Sequence, residues 1–132
     1  MAYWLIKSEP SSYSWDDLVR DGKTEWDGVR NNAARLHLRA MQVGDEAFFY
    51  RSLVDPAVVG QVRISRGPAP DPRDAAWVSV EVEPVTQLRP VTLKTIKADP
   101  KLAEMELIRQ SRLSVAPVRP AEWARIVALG GQ

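Results

Sequence analysis

An α+β domain is what this sequence predicts, and three observations predict it. Short runs of alternating apolar and polar residues recur along the chain, and helical stripes with recognisable starts fall between them. The third is size: 132 residues, 45% hydrophobic and 27% charged, suit one self-contained core and the make-up of a folded protein. Strands interleaved with helices argue a small mixed sheet or partly closed barrel, with residues 1–132 as a single domain.

The elements follow in order. Tyr3 to Lys7 is apolar on both faces and reads as a central strand, which Glu9-Pro10 ends because proline cannot extend a ladder. Ser14 is placed to cap a short helix through Leu18, with Gly22 closing it. Asn31 or Asn32 caps a second helix to about Met41, with Ala33, Leu36 and Ala40 on one stripe and Arg35 and Arg39 on another. Val43-Gly44-Asp45 is a turn. Glu46 to Arg51, Val58 to Ser65 and Trp77 to Glu83 are strands, and Gly67-Pro68-Ala69-Pro70-Asp71-Pro72 between the last two is a loop. Pro84 and Pro90 bracket a kinked extension. Residues 100–110 form a helix with Leu102, Met105 and Ile108 inward, Leu113 to Val115 a last strand, and Pro120 opens a terminal helix carrying Trp123, Ile126 and Val127.

Composition narrows the function. There is no cysteine, so disulfides, thiolate metal sites and cysteine nucleophiles are excluded, and the single His37 gives little to a zinc centre or a serine-type triad. Asp16 and Asp17 are adjacent on a helix and do not share a face, so they make no acid–base pair. No glycine-rich phosphate loop or nucleophile elbow is present. No apolar run approaches the roughly 18–20 residues of a membrane span, and the N-terminal stretch does not read as a signal peptide. The expectation is a monomeric cytoplasmic protein without metal or cofactor. Net charge is only +1, but Arg30, Arg35 and Arg39 fall in a stretch, 28–44, that holds no acid, and Arg109, Arg112 and Arg119 cluster later. Such local basic surfaces attract phosphate, although solvated helix faces look the same.

Three segments pair polarity with tight local structure. Lys7-Ser8-Glu9-Pro10 puts polar side chains at a sheet end, either for a ligand or as a capped strand end. In Trp26-Asp27-Gly28-Val29-Arg30-Asn31 the tryptophan offers a stacking face, Gly28 allows close approach, and Asn31 carries both a donor and an acceptor. The same residues also fit a core tryptophan, a turn and a helix cap. Gln110-Ser111-Arg112-Leu113-Ser114-Val115 alternates as a strand would, with serines for a base edge and Arg112 for a phosphate, or as a solvated edge strand.

These stretches, with Tyr3 to Lys7, Tyr13-Ser14-Trp15-Asp16-Asp17-Leu18, Met41 to Asp45, Ile96 to Pro100 and Pro120 to Ile126, closely resemble the EVE-domain family over nearly the whole chain. The resemblance implies a PUA-like fold, a small β-barrel decorated with helices, related to the YTH readers of methylated adenine. It implies a binding module, not an enzyme, whose partner is nucleic acid carrying a modified base such as 5-methylcytosine or its hydroxymethyl form. By resemblance the base pocket draws on Lys7, Ser8, Trp26, Gly28, Val29, Asn31, Tyr50, Ser52, Leu113 and Ser114, with Arg30, Arg35, Arg39, Arg51 and Arg112 for phosphate. RNA binding, as on tRNA or rRNA, is the first alternative, and a small-molecule enzyme using the same pocket the second.

Two positions depart from the family pattern. After Phe49-Tyr50 the pattern has histidine then serine, whereas Arg51 precedes Ser52 here; a permanently charged fork of donors is expected at the pocket mouth, paired with phosphate or Glu9. Where the pattern reads Tyr-Pro-Asp, this chain has Ala69-Pro70-Asp71, without the aromatic side chain near the rim.

Overall fold

The computed structural model describes residues 1–131. Its elements are β1 (Tyr3–Ser8), α1 (Trp15–Asp21), β2 (Thr24–Trp26), α2 (Asn32–Ala40), β3 (Glu46–Arg51), β4 (Ala57–Asp71) and β5 (Asp74–Thr92). There follow α3 (Leu93–Ala98), a 3-10 turn (Pro100–Leu102), α4 (Glu106–Arg109), β6 (Val115–Val118) and α5 (Pro120–Gly130). Among the described residues, no helix is long and apolar enough to cross a membrane.

The mixed α+β class stands, but the barrel does not. Six strands form one sheet in the order β2-β5-β4-β3-β1-β6, and its two edges, β2 and β6, do not pair with each other. The edges suit that role. Strand β2 is three residues long, and β6 carries Pro117, which lacks an amide for a second neighbour. Strand β1 runs parallel to β3 and antiparallel to β6, the interior place that its two apolar faces require.

Helices cover both faces, so the interior strands bury side chains in both directions. Trp4, Ile6 and Phe49 join one core with Trp15 and Leu18 of α1 and Ala34 and Leu38 of α2. Leu5, Phe48 and Tyr50 join the other with Ile96, Leu107, Trp123 and Ile126. Ser14 caps α1 through a reciprocal pair of bonds with Asp17, and Gly22, at φ +77°, closes it.

Several expectations need correction. The stretch 67–72 is not a loop. Residues 67–71 are the distal end of β4, which pairs with β5 as far as Asp71–Asp74, and of the stretch Pro72 alone lies in the turn. Because β3 reaches only to Arg63, this part of β4 has a neighbour on one side, and Pro68 and Pro70 sit on a free edge. Pro84 and Pro90 likewise lie inside β5, beyond the short β2. In α2 the buried positions are Ala34 and Leu38, whereas Ala33, Leu36 and Ala40 face solvent. The helix over 100–110 is broken. Asp99 accepts the Lys101 amide at 2.9 Å to start a 3-10 turn, and Met105 is extended. Leu102 and Met105 are buried as expected, but Leu107 takes the inward place assigned to Ile108. The last strand is Val115–Val118 rather than 113–115, and β2 and α3 are elements that the sequence pattern does not predict.

Candidate nucleic-acid interface

A cavity of about 610 Å³ opens where β1 ends. Its walls come from Lys7 and Ser8, from Tyr13, from Trp26 through Arg30, from Ser114, and from Arg73 in the β4–β5 turn. Each is placed for a local reason. The Lys7 amide donates to the Ser114 carbonyl at 3.0 Å, which ties the segment before β6 to the end of β1. The Lys7 ammonium donates to the Ser111 carbonyl at 2.8 Å and has no carboxylate partner among the described residues. Burial pushes its pKa down. Ser8 Oγ donates to the Tyr13 carbonyl at 2.5 Å, holding Tyr13 over the cavity.

Trp26 ends β2 and is only 8% exposed. It meets Phe49 edge-on at 5.7 Å and Tyr13 at 6.5 Å, the latter with ring planes at 83°. Two aromatic walls thus stand nearly perpendicular. Trp26 is both cavity wall and core.

The loop after Trp26 is organised by Asp71, whose side chain is fully buried. Its carboxylate accepts from the Gly28 amide at 2.9 Å, the Arg73 amide at 2.7 Å and the Arg30 guanidinium at 2.9 Å. Burial pushes its pKa up, but these bonds outweigh burial and hold it at about 2. Gly28 has φ +76°, which favours glycine, and a Cβ there would come within 3.4 Å of Arg73 Nη1. Arg73 also reaches Asp27 at 3.4 Å.

The structure therefore brings Lys7, Ser8, Trp26, Gly28, Val29, Arg30 and Ser114 to one cavity. It places the remaining predicted residues elsewhere. Asn31 caps α2, accepting the Ala34 amide at 2.9 Å, and with Arg112 and Leu113 borders a separate depression of about 340 Å³. Tyr50 is buried in the core of the opposite sheet face, with Lys7 Nζ 5.9 Å from its ring. Ser52 meets the site only through its amide, which donates to the Ser8 carbonyl. Arg35 lies over Trp77 at 5.1 Å, Arg30 over the same ring at 5.5 Å, and Arg39 is exposed on α2. Arg51 does not pair with Glu9. It donates twice to the Asp55 carbonyl, at 3.0 and 2.8 Å, and borders a second cavity of about 330 Å³ that shares Ser8 and Tyr13 with the first.

Sequence reasoning missed Tyr13 and Arg73 as wall residues and Asp71 as the hub. Tyr13 opens the Tyr13–Leu18 motif and Asp71 stands between two prolines, so the sequence carries a signal for both. Arg73 carried none.

Among the described residues, no group of three histidine or carboxylate side chains is placed to hold a metal ion. Comparison with known proteins places this geometry in a family: the EVE domain model matches residues 2–129. The chain belongs to the EVE-domain family. Thymocyte nuclear protein 1 of Mus musculus is 35% identical to this EVE domain over 96% of the chain and 73% of its own length. A solved structure of a Rhodopseudomonas palustris protein is 47% identical, with TM-score 0.94, over 99% of this chain and 94% of its own. The human THYN1 protein, solved in complex with 5-methylcytosine-containing DNA, is 30% identical with TM-score 0.92, over 100% of this chain and 99% of its own.

Proposed function

We propose that this EVE domain binds nucleic acid by receiving one extruded base, a cytosine modified at C5, in the cavity at the end of β1, without acting on it chemically. The observation that carries the reading is the convergence of two perpendicular aromatic walls, an unpaired ammonium and Ser114 in one cavity of 610 Å³. That size falls in the range of ligand sites, about 300–1,000 Å³. Lys7 spends one donor on Ser111 and keeps others for the ring acceptors of a base. Of the carboxylates around the cavity, Glu25 and Asp27 are each held by an arginine, and Glu9 stands exposed at its edge. The DNA complex of the human relative supports the choice of ligand.

Energetics make the modification decisive. Extruding a base costs a few kcal/mol, and stacking on aromatic side chains returns about 1–3 kcal/mol. Near that balance, burying one methyl, about 0.8 kcal/mol, shifts occupancy several-fold.

The test is fluorescence anisotropy with labelled oligonucleotides carrying one central cytosine, 5-methylcytosine or 5-hydroxymethylcytosine, as DNA and as RNA. A modified DNA strand is expected to bind several-fold more tightly than its unmodified counterpart. Lys7→Met, which keeps the stem and removes a desolvated charge, is expected to lower affinity about tenfold while leaving the fold intact. Equal affinity for all three bases would overturn the reading, and preference for unmodified RNA would replace it.

A further inference from the structure

The loop joining β3 to β4, residues 52–56, leaves the sheet beside the cavity. Strands β1 and β3 are parallel and end together, Ser8 opposite Arg51, and the Ser52 amide donates to the Ser8 carbonyl at 3.0 Å. Ser8 is itself a cavity wall. At the loop's crest Leu53 is 74% exposed and Val54 65% exposed. The other large apolar side chains at the surface, Met1, Val19, Leu36, Val43 and Val85, stand singly. Among the described residues, only here are two adjacent in sequence.

The crest is also held. Leu53 has φ +70° and Asp55 φ +46°, a backbone region that residues with a Cβ seldom occupy. Three contacts keep it there: the Val54 amide donates to the Ser52 carbonyl at 2.9 Å, and Arg51 clamps the Asp55 carbonyl with two bonds. The Leu93 amide fixes the loop's far end at the Pro56 carbonyl, 2.9 Å away. Strain held by surrounding bonds near a binding cavity points to a use for the conformation. The clamp also gives a role to the arginine that stands where the family pattern has histidine.

We propose that Leu53 and Val54 form a wedge that enters the stack of double-stranded DNA and fills the space left by the base taken into the cavity. The inference rests on the base-binding reading above and adds the duplex as the form of the ligand. Apolar side chains inserted between base steps are a recurrent way to hold a duplex unstacked, and a preformed crest loses little freedom on entering.

The experiment compares a DNA duplex carrying one central 5-methylcytosine with the methylated strand alone, for the wild-type chain and for the double variant Leu53→Ser, Val54→Ser. Both positions face solvent, so the variant should keep its thermal midpoint. Duplex affinity is expected to fall by about tenfold or more, and single-strand affinity by less than about twofold, because only the duplex has a stack to fill. A 2-aminopurine beside the methylcytosine should brighten with wild type and stay quenched with the variant. Leu53→Phe, a wider wedge, should retain duplex binding. An equal loss on duplex and strand, an unchanged duplex affinity, or a wild-type chain that binds the strand but not the duplex would each overturn the wedge. An absence of methyl preference on the strand, with the duplex-specific effect intact, would instead overturn the pocket's selectivity for a modified cytosine and leave the wedge, which needs only an extruded base, standing.

Discussion

Asp71 shows how one side chain sets the shape of the cavity. It is a charge sealed from water, held by two backbone amides and the Arg30 guanidinium. Asp71→Asn keeps its outline but loses the charge, and should cost about 2–4 kcal/mol in urea unfolding while loosening the loop from Gly28 to Arg30. The pH dependence has a definite sign. The folded value, about 2, lies below the ordinary 3.8, so the contribution is complete above pH ~4 and is lost as pH falls toward 2. Wild type should shed about 2 kcal/mol of stability over that window that Asp71→Asn does not. Trp26→Ala should lower both binding and stability, the latter by about 3–5 kcal/mol, because the ring is core as well as wall. Chemical denaturation and anisotropy on that one variant check both. From sequence, Trp26 stood out because glycine, arginine and asparagine follow it. Its burial did not, because β2 is too short to show an alternation. Asn31 was legible only as two alternatives, base reader or helix cap, and the Ala34 amide decides between them.

At the scale of elements, α1 packs on the sheet through Trp15 and Leu18, and one of its contacts is unusually close. A Cβ on Gly60 would lie 2.4 Å from the Trp15 ring. Gly60→Ala must therefore push Trp15 off β4, and we expect a loss of about 1–3 kcal/mol with a changed near-ultraviolet tryptophan signal. The sequence had shown Val58, Gly60, Val62 and Ile64 as a strand but not the ring that needs the glycine. Elements were legible where one local rule was enough: the cap and glycine stop of α1, the aromatic run of β3, the proline start of α5. They were misread where the partner decides. Prolines exclude a segment from a sheet interior, yet β4 and β5 run beyond their outer neighbours, and there the prolines sit on free edges. In α2 two apolar stripes compete, and packing against β4, β5 and β6 selects Ala34 and Leu38.

For the molecule as a whole, the charge pattern bounds the electrostatics. Arg30 is spent on Asp71, Arg51 on Asp55, and Arg35 on Trp77 and the Ala76 carbonyl, leaving Arg39 and Arg112 as the predicted phosphate donors without a protein partner among the described residues. Affinity for duplex DNA should therefore fall with salt at a log–log slope of roughly 2, about 0.9 for each of the phosphate contacts these two can make. Anisotropy across 50–200 mM salt measures it, and a flat response would point to a ligand without phosphate. The mixed class was legible because strands and helices have different periods. The strand order was not, since no local pattern reveals that β1 takes β3 and β6 as its neighbours. The interleaved elements left a mixed sheet and a partly closed barrel both open, the family resemblance favoured the barrel, and here the edge strands remain apart.

That interior position of β1 has a consequence for synthesis. Residues 3–8 are made well before one of their two neighbours, Val115–Val118. Until β6 emerges, an apolar strand that belongs inside a sheet shows a bare edge to every other nascent chain. A chain ending at residue 114 should accordingly be recovered as aggregate rather than as a folded fragment. In the cell, the interval between those two strands is when this protein most needs a chaperone.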